Sequence, residues 1–114
     1  MKIWIDGSGW NGKESKYCVA FENGKVIKEI IKEKKTNNVM EYMALIRALN
    51  DCNEKDEIFT DSRLVVNQIS GKYKIKKEHL FPLVMKARKL LKEKSCSLVW
   101  VPRKENLAGN LLEK

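Results

Sequence analysis

The chain is expected to adopt an α/β fold, a five-stranded mixed sheet in the order 3-2-1-4-5 flanked by helices. Three observations lead there. Three apolar, strand-like runs come before any helical pattern, and the second and third are joined through Asn23-Gly24, a hairpin signal because both residues tolerate positive φ. Helical and strand-like segments then alternate, as when further strands join a sheet through right-handed crossovers. Finally, acids stand at the ends of the first and fourth strands, which this order makes neighbours.

The elements follow in turn. Ile3-Trp4-Ile5 is apolar without alternation, as in a central strand covered on both faces. Gly7 to Glu14 reads as a turn-rich loop. Tyr17 to Phe21 and Val26 to Ile31 complete an antiparallel meander. From Asn37 to about Cys52, Met40, Met43, Ala44 and Ala48 recur at helical spacing, with Thr36 or Asn37 available as N-cap. Glu57 to Thr60 is a short strand and Ser62 to Ser70 a helix closed by Gly71. Leu80, Leu83, Val84, Ala87, Leu90 and Leu91 mark another helix, which admits Pro82 in its first turn. Leu98 to Val101 is the last strand, stopped by Pro102, and Asn106 caps a short final helix.

At 114 residues the chain is expected to be one domain, 1–114. No run approaches the ~18 apolar residues of a membrane span. The apolar stretch at the start stops at Asp6, unlike a signal peptide, so a cytoplasmic protein without membrane attachment is expected. Cys18, Cys52 and Cys96 lack the paired spacing of a zinc site and read as reduced thiols packed as small apolar groups.

Charge narrows the chemistry. The chain carries 23 Lys+Arg against 15 Asp+Glu. Much of the excess falls between Lys72 and Lys94, where nine basic residues meet only Glu78 and Glu93. Within this basic chain Asp6, Glu41 and Asp61 sit where a strand ends or a helix begins. Glu41 shares a helix face with Leu45 and Ala48, and an ionised carboxylate in that company needs a cation or a donor. Each acid alone has an ordinary reading as an ion pair, cap or turn residue. Together they point to a divalent cation handling a polyanion, since carboxylates suit Mg²⁺ or Mn²⁺ and lysines suit phosphates.

The motifs around these acids resemble ribonuclease H. Asp6-Gly7-Ser8 follows the first strand, Thr36-Asn37-Asn38-Val39-Met40-Glu41 opens a helix, and Thr60-Asp61-Ser62 follows the fourth strand. Asp61 to Ile69 with Gly71-Lys72-Tyr73, and Trp100-Val101-Pro102-Arg103-Lys104-Glu105-Asn106, are similar to the compact type 1 enzymes of archaea and some bacteria. The resemblance implies a ribonuclease H-like fold and endonucleolytic cleavage of the RNA strand of an RNA/DNA hybrid, leaving 5′-phosphate and 3′-hydroxyl ends. It implies two Mg²⁺ ions, replaceable by Mn²⁺, with Asp6 bridging both and Glu41 and Asp61 on the leaving-group side. It assigns Gly7, Ser8, Asn11, Asn37, Asn38 and Arg63 to hybrid recognition across the minor groove, where 2′-hydroxyls mark RNA. Thr36 matches a DNA-phosphate contact, and Lys72 and Lys74 would grip the DNA strand. The expected partner is the hybrid, with double-stranded RNA a second candidate, and the chain is expected to act as a monomer.

One departure stands out. The fourth catalytic acid of the family lies in Asn-x-x-Ala-Asp-x-Leu, and the matching run here is Asn106-Leu107-Ala108-Gly109-Asn110-Leu111-Leu112. Asn110 therefore takes the place of a catalytic and metal-binding acid and offers a carbonyl without charge. Two accounts fit: an Asp→Asn substitution that traps an uncleaved complex, or a natural asparagine in a slow enzyme or a noncatalytic hybrid- or RNA-binding module. The intact remainder of the site favours substitution. The stretch Gly71 to Glu78 is too short for the basic helical protrusion of larger relatives, and the family's loop histidine is missing. His79, the only histidine, reads as a surface or helix-terminus residue.

Overall fold

The computed structural model describes residues 1–113; position 114, the end of the expected domain, lies outside them. Strands β1 (Lys2–Ser8), β2 (Ser15–Phe21) and β3 (Val26–Ile31) form the meander. Helix α1 (Asn37–Asp51), β4 (Glu57–Thr60), α2 (Arg63–Ile69), α3 (Phe81–Glu93), β5 (Ser97–Trp100) and α4 (Leu107–Leu112) follow. The sheet order is β3-β2-β1-β4-β5, as expected. β1 pairs antiparallel with β2 and parallel with β4, and β4 pairs parallel with β5.

β1 is central because its side chains are wanted on both faces. Ile3 and Ile5 are fully buried beneath α1, in a core with Tyr42, Leu45, Leu49 and Ile58 that continues to Val84 of α3. On the opposite face Cys18 and Ala20 of β2 pack with Ala108 and Leu112 of α4, and Trp4 closes that smaller cluster. The sheet is thus covered on each side, and α4 is held near the end of β1.

Several boundaries differ from the sequence reading. β1 runs on through Ser8, because Asp6, Gly7 and Ser8 pair with Cys18, Tyr17 and Lys16; cross-strand pairing overrides the turn-forming character of Gly7 and Ser8. β5 begins one residue earlier and ends at Trp100. A 3-10 turn, Glu78–Leu80, leads into α3, and Pro82 sits in the first turn of that helix. A second 3-10 turn, Arg103–Glu105, precedes α4. Thr36 caps α1 through a bond from the Val39 N–H, Ser62 caps α2 through Val65, and Asn106 caps α4 through Ala108 and Gly109.

Candidate active site

Each acid owes its place to a different element. The register Trp4↔Phe59 between β1 and β4 carries the two strands side by side to their C-terminal ends, so Asp6 and Asp61 emerge together. Helix α1 crosses β1 with Gly7 beneath it. A Cβ at Gly7 would overlap the backbone of Met40 and Glu41, so only glycine permits this approach. That contact brings Glu41 over the strand end. One ligand oxygen from each of Asp6, Glu41 and Asp61 lies within 4.8 Å of the others.

The cluster is held under electrostatic tension. Asp6 and Glu41 are each only 7% exposed. Burial, then the neighbouring Asp61, pushes Asp6 up to about 7. Burial, then Asp6 and Asp61, pushes Glu41 up to about 9. Glu41 Oε1 is the one buried side-chain oxygen or nitrogen without a hydrogen-bond partner among the described residues. An orphaned carboxylate oxygen facing two other acids is what a cation site leaves when read as protein alone. Three oxygen donors, with no sulfur or imidazole in the group, fit a hard divalent cation.

Asn106 ties the last helix to this cluster. Its Nδ2 donates to Ile5 O at 2.9 Å and to Asp61 Oδ2 at 3.1 Å, while its Oδ1 caps α4. Gly109, one turn on, lies so close that a Cβ there would stand 3.5 Å from Asp6 Oδ2. Asn110 itself is exposed. The cleft, about 320 Å³, is lined by the three acids and by Gly7, Ser8, Lys16, Asn37, Arg103, Leu112 and Glu113. Asn110 is not among the described lining residues.

Other sequence-assigned residues fall around the rim. Asn37 Oδ1 accepts the Gly9 N–H at 2.6 Å, binding the loop after β1 to the start of α1. Asn11 is exposed and closes its own loop, accepting the N–H groups of Lys13 and Glu14. The Arg63 guanidinium lies over the Trp100 ring, 3.9 Å from its centre. Asn38, Lys72 and Lys74 line a second basin of about 550 Å³, whose floor includes Leu64 and Leu80 and whose wall includes Tyr73, Lys76 and Lys77. His79 is exposed and lines neither basin, in keeping with its surface reading.

Sequence reasoning missed Lys16, Arg103 and Glu113 in the cleft. Lys16 belongs to a strand whose register cannot be read locally. Glu113 was visible only as a terminal acid, although it falls four residues after Gly109 and so on the same helical face. Arg103 donates to Glu113 Oε1 from Nε at 3.1 Å and from Nη2 at 2.6 Å, across the top of the cleft.

A five-stranded 3-2-1-4-5 sheet with carboxylates at the ends of β1 and β4 and on α1 defines a ribonuclease H-like protein. The RNase H family profile matches residues 1–112, and the chain belongs to that family. Among solved structures it is similar to the N-terminal RNase H domain of Rv2228c from Mycobacterium tuberculosis, at 29% identity and TM-score 0.79 over 98% of this chain and 92% of that one. It is similar also to RNase H1 of Halobacterium salinarum, at 27% identity and TM-score 0.77 over 97% and 92%. LC11-RNase H1 in complex with an RNA/DNA hybrid matches at 30% identity and TM-score 0.77 over 97% and 91%. The bifunctional protein Rv2228c of M. tuberculosis is 37% identical over 82 residues, 68% of this chain; the aligned part makes up 22% of that relative's length.

Proposed function

We propose that this chain is a divalent-cation-dependent endonuclease that cuts the RNA strand of RNA/DNA hybrids to 5′-phosphate and 3′-hydroxyl ends, in an attenuated form because Asn110 contributes no charge. The observation that carries this reading is the convergence of Asp6, Glu41 and Asp61 with Glu41 Oε1 left buried and unpartnered. These three would hold two Mg²⁺ ions, or Mn²⁺ in their place, with the Asn110 carbonyl as a neutral fourth donor. When bound, the ions supply charge stabilisation at the scissile phosphate and acidify an attacking water.

The chain's own residues do the positioning. Asn106 holds one Asp61 oxygen in place by a hydrogen bond from its Nδ2. Gly7, Ser8 and Asn37 line the cleft with the acids, where their small polar groups would meet 2′-hydroxyls in a minor groove, with Asn38 at the neighbouring basin and Asn11 on the loop after β1. Arg63 would join them in the minor groove, and Thr36, Lys72 and Lys74 would take backbone phosphates. The hybrid-bound state of LC11-RNase H1 supports the choice of substrate.

The test compares cleavage of labelled hybrid, duplex DNA and duplex RNA in Mg²⁺ and Mn²⁺. Hybrid alone should be cut, or hybrid with some duplex RNA. Asp6→Asn should lower cleavage by at least about two orders of magnitude while hybrid binding persists. Cleavage by Asp6→Asn at a comparable rate would overturn the metal assignment. Asn110, exposed and uncharged, favours a second reading as a noncatalytic hybrid-binding module. Tight hybrid binding with no cleavage in either metal would select it.

A further inference from the structure

Glu113 is the acid that the structure adds to the cleft. It is not adjacent in sequence to any of the three converging carboxylates, and α4 brings it to the wall of the cleft that they line. Asn106, Gly109 and Glu113 stand at i, i+3 and i+7, so they share one face of that helix. The first of them is bonded to Asp61 and the second lies against Asp6. The third continues the stripe, its N–H still bonded to Gly109 O at 3.2 Å, and lines the cleft. Asn110 is exposed and outside that lining.

The carboxylate is also oriented. Both Arg103 donors fall on Oε1, which leaves Oε2 without a hydrogen bond among the described residues. Arg103 thus holds the group in place and balances part of its charge while one oxygen stays open. The cleft already contains a buried oxygen with no partner, Glu41 Oε1. Glu41, buried, and Glu113, more than half exposed, both line one cavity of about 320 Å³, with Glu113 outside the group of three whose oxygens lie within 4.8 Å of one another.

We infer that Glu113 serves as the fourth carboxylate of this site, replacing from one turn farther along α4 the negative charge that Asn110 lacks, with Arg103 as its positioning residue. The inference rests on the proposed metal-dependent reading of the cleft. It makes the asparagine tolerable: part of the charge missing at position 110 is returned by Glu113 at the end of the same helix.

The experiment reads metal binding directly. The protein is titrated with Mn²⁺ and the free ion is followed by electron paramagnetic resonance. Glu113→Gln should weaken Mn²⁺ binding by about tenfold or more, the usual scale for disturbing a metal's protein partners. Glu113→Asp should retain part of it. Adding Asn110→Asp to Glu113→Gln should recover it. Glu105→Gln, an exposed acid on the adjacent turn, controls for loss of net charge and should change little. Glu113 is exposed, so its variant is expected to fold, which circular dichroism checks. If Glu113→Gln binds Mn²⁺ like the parent while Asp6→Asn does not, Glu113 is no ligand and the metal reading stands. If Asp6→Asn also binds like the parent, the metal reading fails and the inference fails with it.

Discussion

Glu41 concentrates the physical tension of the site. An acid whose pKa is raised on folding holds its proton more tightly in the folded than in the unfolded chain. Its stability contribution is therefore greatest below the unfolded value and falls as pH rises toward the folded one. For Glu41 that window runs from 4.5 to about 9, and for Asp6 from 3.8 to about 7. In chelator-containing buffer, thermal stability should decline across this range. Glu41→Gln should melt above the parent at pH 8 by about 4 °C or more, the scale of 1 kcal/mol in a domain of this size. At pH 4 the two should nearly coincide. Parallel melting curves at all pH values would show that the carboxyl is not under this strain. Gly7 belongs to the same scale. Gly7→Ala sets a methyl group against the α1 backbone, which has no flexible end to yield. We expect a loss of about 2 kcal/mol or more, read as a lower urea midpoint, together with impaired cleavage. An unchanged midpoint would mean that α1 can back away freely.

At the scale of elements, the stretch between α2 and α3 gathers positive charge around the second basin. Lys72, Lys74, Lys76 and Lys77 surround a basin with an apolar floor, and Asn38 connects that basin to the start of α1. Phosphate contacts release counterions, so binding of a hybrid should fall steeply with salt. Replacing these four lysines with glutamine should flatten the slope of log affinity against log salt by about 0.7–0.9 for each phosphate that they neutralise. Fluorescence anisotropy between low and moderate salt measures it. A slope equal to that of the parent would make the lysines a solvated rim and move the DNA grip elsewhere.

At the scale of the whole molecule, the fold joins segments that the chain order keeps apart. Cys52 follows the end of α1 and Cys96 precedes β5, yet their Sγ atoms stand 3.5 Å apart across 44 residues of sequence. All three thiols are free, as the sequence led us to expect, but two of them are neighbours. Glutathione disulfide should convert this pair to a disulfide, slowly at neutral pH because burial first, then Cys96, pushes the Cys52 thiol up to about 11. Closing a loop of that length should add about 2–4 kcal/mol, seen as a higher melting temperature and the loss of two hydrogens by intact mass. Cys52→Ser should show neither. Oxidation that proceeds without raising the melting temperature would mean that the bond distorts the joint between α1 and β5.

The sequence by itself determined the sheet order, because Asn23-Gly24 pairs β2 with β3, the apolar β1 demands the centre, and helical crossovers bring β4 and β5 to its other side. It also determined the three acids, since each lies at an element end whose position follows from local periodicity. What it could not supply depended on register and on packing between distant segments. The extension of β1 through Ser8 is decided by its partner strand. The entry of Lys16 into the cleft is decided by how β2 aligns with β1, and one step of slip would turn it to the other face. The contact of Asn106 with Asp61, the approach of Gly109 to Asp6 and the arrival of Glu113 at the cleft are decided by how α4 docks on the sheet. Docking is a sum of many weak apolar contacts, here those of Ala108 and Leu112 with Cys18, Ala20 and Trp4, and no local motif records it.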